Sequence, residues 1–380
     1  MTPTRRAVVA LAGLLTLAGC GSGSPATMST SSSPSASSGT SVSGSPSSSS
    51  TLSTSSAPVS LAGTTLTVVA HDSFTVSDSL MTQFEKSTGM TVKVVAPGDA
   101  GTVVNQLILS KDSPLGDVVF GIDNTFAGRA ESAGILTPYA APGLPASAAA
   151  LAADDSGQLT PIDYGDVCVN ADRTWFSQKG IGIPTTLADL TRPEYRDLLV
   201  VENPASSSPG LAFLAATVGA SGDPGFVDYW TKLRDNGVEV AKGWTEAYST
   251  EFSGSSGKGP RPLVVSYSTS PAYEVPKGGD ESRTVALLDT CFRQVEYAGV
   301  IKGAANEAGA RAFIDFLLSK PVQEDIPGGM YMYPVLDTAT LPADWVTFAP
   351  LSSSPIQVKA ADIAAKRDQW IKDWTAAVIG

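Results

Sequence analysis

Thr-Leu-Thr-Val-Val at 65–69 and Asp-Val-Val-Phe-Gly at 117–121 bracket the stretch that decides the fold. The first is a strand by its β-branched, apolar character. Within 77–85, Leu80, Met81 and Phe84 recur at helical spacing. Thr91–Val95 reads as a second strand. Residues 102–109 repeat the helical period through Val103, Val104, Leu107 and Ile108, and 117–121 is a third strand of the buried type. Strands and helices alternating through short links predict a parallel sheet covered by helices on both faces. The pattern resumes downstream. Phe226, Trp230 and Leu233 mark a helix that stops at Asn236-Gly237, and Val238–Ala241 and Pro262–Ser266 read as strands. Phe313, Phe316 and Leu317 mark a helix closed by Lys320-Pro321. Ile363, Arg367, Trp370 and Trp374 predict a last amphipathic helix, its two tryptophans sharing one face as core. A chain of 380 residues accommodates two such α/β lobes.

Composition removes several function classes. The net charge of −12 argues against nucleic acid or an anionic membrane surface as the main partner, since both need a basic face. It suits a cationic ligand. One histidine, His71, and three cysteines exclude a His-rich or Cys-rich metal site, and they exclude a Ser-His-Asp triad unless His71 carries it. No metal or cofactor is expected, and no catalytic residue is assigned.

The N-terminus reads as an address. Arg5 and Arg6 precede the apolar run 7–18, and Leu-Ala-Gly-Cys follows at 17–20. Residues 1–19 are expected to be a signal peptide. The Leu-Ala-Gly-Cys string resembles the lipobox of bacterial lipoproteins, which implies an acylated Cys20 as first mature residue. Residues 21–58 hold 19 serines in 38 positions and no charge. With no apolar pattern to offset ordering entropy, 20–59 read as a disordered tether of roughly 35 Å reach.

In an α/β sheet, ligands sit beyond the carboxyl ends of strands. The residues there are His71-Asp-Ser-Phe, Pro97-Gly-Asp-Ala, Ile122-Asp-Asn, Asn203 to Gly210, Gly243 to Tyr248 and Tyr267 to Tyr273. Rings, carboxylates and small hydroxyls in this mixture suit a flat organic cation.

These loops resemble those of the thiamine-binding proteins of bacterial thiamine ABC importers. The strings that carry the likeness are His-Asp-Ser-Phe at 71–74, Gly-Ile-Asp-Asn at 121–124 and Asp-Tyr-Gly at 163–165. Ser-Ser-Pro-Gly at 207–210, Lys-Gly-Trp-Thr-Glu-Ala-Tyr at 242–248 and Ser-Tyr-Ser-Thr-Ser-Pro-Ala-Tyr at 266–273 continue it. Met-Tyr-Pro-Val at 332–335 and Arg-Asp-Gln-Trp at 367–370 complete it. The resemblance spans essentially all of 64–375. It implies an α/β fold of the type II periplasmic-binding-protein kind, with two lobes and the ligand in the cleft between them. Lobe 1 would be 60–165, lobe 2 166–290, and 291–345 the return to lobe 1. Residues 346–380 would be a C-terminal helical segment packing on lobe 2.

The resemblance also implies a ligand set. Asp99-Ala100 matches the acidic loop, with alanine where glycine is usual. Ser207 and Ser208 match a hydroxyl pair able to hold a hydroxyl or phosphate. Trp244 matches the stacking tryptophan, and Tyr267, Ser268, Thr269, Ser270 and Pro271 match the loop after a late strand, with Tyr273 just beyond. Tyr331 stands where a further tryptophan is usual, and His71 where a tyrosine is. Asp123 reads as a helix cap rather than a contact, and Glu246 is an alternative source of negative charge. Cys168 and Cys291 fall one on each crossing segment, which implies a disulfide at the hinge. The expected function is an extracytoplasmic, lipid-anchored, monomeric receptor. It would capture thiamine or a thiamine phosphate by lobe closure and deliver it to an ABC permease. The alternatives are a cysteine-type thiaminase of the same fold, with Cys168 as nucleophile, or a receptor for another small organic cation.

Overall fold

A computed structural model describes residues 60–256 and 258–380. The signal segment, Cys20 and the serine-rich tether lie outside the described residues. The chain order begins β1 (Thr65–Ala70), α1 (Asp78–Thr88), β2 (Thr91–Val95), α2 (Ala100–Leu109), β3 (Val118–Asp123) and α3 (Ala127–Ser132). β1 lies between β2 and β3 and is parallel to both, as the alternation predicts. β3 is buried along its whole length, whereas β2 is an edge that exposes Lys93 and so discourages further pairing. Gly89 ends α1 at φ 71°, and its N–H closes the helix on the Glu85 carbonyl.

A short β4 (Leu136–Thr137) leads to β5 (Thr160–Asp172), α4 (Arg173–Lys179), β6 (Leu199–Glu202), α5 (Ser208–Ser221) and α6 (Gly225–Asp235). Then come β7 (Glu239–Ala241), α7 (Trp244–Glu246) and β8 (Leu263–Tyr267). β6 is parallel to both β7 and β8, which makes a second parallel trio. The chain returns along β9 (Thr284–Ile301), followed by α8 (Glu307–Leu317), α9 (Lys320–Met330), β10 (Tyr333–Pro334), α10 (Trp345–Phe348) and α11 (Ala360–Val378).

One sheet results, in the order β2-β1-β3-β9-β5-β8-β6-β7, with β4 beside β9 and β10 beside β5. The long central strands β5 and β9 run antiparallel to each other and to the trio each adjoins. Residues 163–165 lie within β5 and residues 290–297 within β9. Cys168 and Cys291 join these two strands in a disulfide, 123 residues apart in sequence.

Lys320-Pro321 does not close the helix before it. α8 stops at Leu317, and Lys320-Pro321 opens α9. Proline in a first turn costs no hydrogen bond, because that N–H has no partner in a helix anyway. α5 is apolar all round and buried from Ser208 to Val218, so it lies in the core rather than on the surface. Trp374 meets Trp230 of α6 edge-on at 5.6 Å, and the Arg367 guanidinium lies over the Phe126 ring at 4.7 Å. α11 therefore packs against both α6 and α3. No described helix is long and apolar enough to cross a membrane.

Candidate functional site

The two trios meet at a narrow cavity of about 30 Å³. The β1–β3 side supplies His71, Ser73 and Asp99. The β6–β8 side supplies Ser208, Pro209, Trp244 and Tyr267. Glu296 of β9 forms the floor, and Met330 and Met332 close the wall. An outer chamber of about 310 Å³ lies beyond Trp244, with Tyr248, Glu274 and Tyr331 on its sides. Trp244 borders both spaces.

Asp99 caps α2, accepting from the Ala100 N–H at 2.7 Å. Its other oxygen accepts from the Trp244 N–H at 3.1 Å, so one carboxylate ties the two sides together. Burial pushes its pKa up, against hydrogen bonds and His71, which pull it down. Ala100 is buried at the first position of α2. Trp244 stacks one face on Tyr248 at 5.0 Å, and its Nε1 donates to Ser266 Oγ at 2.9 Å. Ser207 is the N-cap of α5, and Ser208 Oγ donates to the Asp123 carboxylate.

The segment after β8 is mostly spent on its own structure. Ser270 Oγ pairs with Ser266 Oγ at 2.9 Å, and Thr269 Oγ1 donates to the Tyr331 carbonyl. Pro271 is buried, and its carbonyl accepts from Ser282. Ser268 Oγ is buried without a partner. Tyr273 donates its hydroxyl to the Pro327 carbonyl and packs on Tyr331, away from the inner cavity. Tyr331 ends α9 in the left-handed region, φ 62°, uncommon for a residue with a bulky side chain. Glu246 is turned to its own loop, accepting from the Lys242 N–H at 2.8 Å.

Asp123 is not the cap of a helix. α3 starts after Phe126, and the Asp123 carboxylate accepts from Thr125 and, from the start of α5, from Ser208. Burial lifts its pKa to about 6 despite those donors. It begins a row of acids: Asp123 of β3 pairs in register with Glu296 of β9, which pairs in register with Asp163 of β5. All three are buried. Gln294 Nε2 donates to Glu296 at 3.2 Å. Asp163 has no hydrogen-bond donor on either oxygen, and burial with the Glu296 charge beside it pushes its pKa well above the carboxylate range. Glu202, at the end of β6, is likewise buried and unpaired, its pKa raised by burial and by Asp99. The cation on this stretch of β9, Arg293, is committed to Asp166.

His71 faces this row. The Ser73 N–H donates to its Nδ1 at 3.2 Å, so the neutral ring carries its proton on Nε2, 3.6 Å from Glu296. Burial pulls the ring's pKa down, but Glu296, Asp99 and Asp72 outweigh it and leave it raised. Gly121 makes room for the ring. It sits at φ 89°, and a Cβ there would strike the imidazole.

Of the residues expected from sequence, His71, Asp99, Ser208, Trp244 and Tyr267 share the inner cavity, and Tyr331 lies on the outer chamber. Glu296, Asp163, Met330 and Met332 were not among the expected ligand residues, although Asp163 and Met332 stand in strings that carry the resemblance. The available signal was the alternation of Gln294 and Glu296 with Val295 and Tyr297 in the crossing strand β9. A larger cavity of about 540 Å³ behind β9 is lined mainly by aliphatic residues such as Ala127, Ala153 and Val358, and none of the expected site residues lies on it. Among the described residues no cluster of three metal-ligating side chains forms.

Residues 113–347 match the family model for bacterial extracellular solute-binding proteins. The chain is 30% identical over 319 residues to the thiamine-binding periplasmic protein of Escherichia coli K12, covering 82% of this chain and 93% of that one. It is 29% identical to the thiamine-binding periplasmic protein of Brucella suis biovar 1, covering 82% and 91%. Among solved structures, a periplasmic thiamin binding protein superposes with a TM-score of 0.71 at 29% identity, covering 83% of this chain and 96% of the other. With the two parallel trios and crossing strands described above, these matches place the chain: it has the type II periplasmic-binding-protein fold and belongs to the bacterial extracellular solute-binding proteins.

Proposed function

We propose that this chain captures thiamine in the cleft and delivers it to the permease of an ABC importer. The observation that carries the reading is the cavity wall, where Trp244 and Tyr267 stand beside the carboxylates Asp99 and Glu296. Aromatic faces and buried negative charge are what a flat cationic ring needs. The thiamine-binding relatives, matched over most of both chains, support the same ligand. His71, Asp99, Ala100, Ser207, Ser208, Trp244, the 267–271 loop, Tyr273 and Tyr331 are assigned to the ligand or its immediate support. Ser208 at the start of α5 lines the cavity with Ser207 beside it, so thiamine phosphates are included in the proposed ligand class.

The two halves act as lobes that close over the ligand about β5 and β9. Cys20 carries lipid, and the chain works as a monomer outside the cytoplasm on its serine-rich tether. A thiaminase reading needs a free thiolate at Cys168. That sulfur is buried and bonded to Cys291, which opposes the reading.

Calorimetric titration with thiamine tests the proposal. A saturable 1:1 heat that falls to baseline, unchanged by added sulfite as co-substrate, is expected. Continuing heat would mean turnover and revive the enzyme, and no heat with thiamine or its phosphates would remove the ligand.

A further inference from the structure

Glu296 lines the inner cavity, yet its position in a crossing strand sets it apart from the loop residues around it. Ionisable groups surround it: His71 after β1, Asp123 on β3, Asp163 on β5 and Tyr267 on β8 act with it directly, while Asp72 and Asp99 act on His71, and Glu202 on β6 lies beside Asp99. Four of these, His71, Asp123, Asp163 and Glu202, are buried, and His71 is the one basic group among the seven. Two observations point to a ligand rather than to an internal arrangement. His71 Nε2 borders the cavity with no hydrogen-bond partner, 3.6 Å from Glu296, although the residue is only 9% exposed. Asp163, in register with Glu296 and fully buried, has no donor on either oxygen. Two adjacent carboxylates without a cation cannot both stay ionised cheaply.

We propose that Glu296 is the carboxylate that receives the organic cation in the cleft, and that Asp163 beside it holds a proton which leaves to solvent when that cation arrives. This rests on the cation-binding reading above. The exchange balances in charge: one positive charge enters the acid row, and one proton departs from Asp163. Burial and the Glu296 charge, which favour the protonated form of Asp163 in the free protein, support it. Tyr267 stays neutral throughout, burial raising its pKa well above the phenol range.

The experiment is titration of the full chain with thiamine at pH 7 in two buffers of different ionisation enthalpy. The difference in heat counts released protons. About one proton per ligand is expected, and a count near zero with binding intact overturns the proposal while leaving the proposed function standing. No binding at all would sink that function first. The single histidine gives an unambiguous ring signal in an untagged chain. A ring whose charge is the same before and after binding assigns the proton to the carboxyl row, and a ring that loses its proton overturns the assignment. Glu296→Gln keeps the size and removes the charge. It is expected to weaken binding about tenfold or more, as the loss of a charge-assisted contact should, and to abolish the proton release. Wild-type affinity in this variant would overturn the role of Glu296. A circular-dichroism melt checks that the variant folds. If it does not, the wild-type proton count and ring signal decide.

Discussion

In Trp244→Ala the cleft loses the ring that separates the inner cavity from the outer chamber. One face of that ring already rests on Tyr248, so the opposite face is the one left for a ligand. A desolvated cation against a tryptophan face is worth about 1–2 kcal/mol, which corresponds to a loss of roughly 5–30-fold in affinity for thiamine. Trp244→Phe separates stacking from hydrogen bonding. It keeps a smaller ring and drops the Nε1 donor to Ser266, whose hydroxyl retains Ser270 as partner. A loss of about threefold is expected there, because phenylalanine offers a weaker face. Both variants also lose folding stability, by about 1 kcal/mol, from weakened packing on Tyr248. Affinity must therefore be read by calorimetric titration on folded protein and stability separately by urea denaturation. If Trp244→Ala binds thiamine within about twofold of wild type while its stability falls, Trp244 is a packing residue and the stacking argument is wrong.

Three further perturbations follow from the geometry. Replacing Cys168 and Cys291 together by alanine opens a 123-residue loop in the unfolded chain and should cost up to about 4–5 kcal/mol in urea denaturation; a loss under about 1 kcal/mol would show that the disulfide does not constrain the unfolded state. Asp123, with a folded pKa of about 6 against an ordinary 3.8, stabilises most below pH 4, and that contribution fades as pH rises through 6. Wild type should thus lose up to about 3 kcal/mol relative to Asp123→Asn between pH 4 and 7, and parallel stability curves would refute the assignment. Gly121→Ala puts a methyl into the His71 ring at a left-handed backbone position, so it should cost about 1–3 kcal/mol and shift the His71 ring signal; an unmoved signal would mean the glycine does not seat that ring.

Much of the fold was legible because its signals are local. The alternating periods between 65 and 121 return as β1, α1, β2, α2 and β3 with edges moved by a few residues, and the periodic tryptophans of α11 are buried as their spacing implies. Lys320-Pro321 misled because a proline marks a helix start as readily as a helix stop, and only the chain beyond it decides which. The site was less legible. Loop residues such as Asp99 and Trp244 stand out by following strands, but Asp163 and Glu296 lie inside strands 133 positions apart. Their neighbourhood comes from the antiparallel register of β5 and β9, which no local pattern states. Asp123 misled for the same reason: its second partner, Ser208, is 85 residues away.

The Asp99 contact also constrains how a ligand gets in. A space of about 30 Å³ admits little more than a water molecule, whereas pockets for drug-sized ligands are typically about 300–1,000 Å³. Thiamine therefore reaches Glu296 and Tyr267 in the inner cavity only if the two halves part, and parting them breaks the Asp99 bond to the Trp244 N–H, the cap-to-loop tie between the two sides. The disulfide between β5 and β9 stays intact in that motion, because both cysteines lie on the paired crossing strands. Asp99 thus has two jobs of different strength. Its bond to Ala100 holds α2 in every state, and its bond to Trp244 exists only when the halves meet. Asp99→Asn keeps an acceptor for the helix cap and weakens the charge-assisted tie, so it should leave folding stability within about 1 kcal/mol while moving the free protein toward the open form. Small-angle scattering without ligand reads this as a larger radius of gyration for the variant. Equal radii in variant and wild type would show that Asp99 does not latch the cleft.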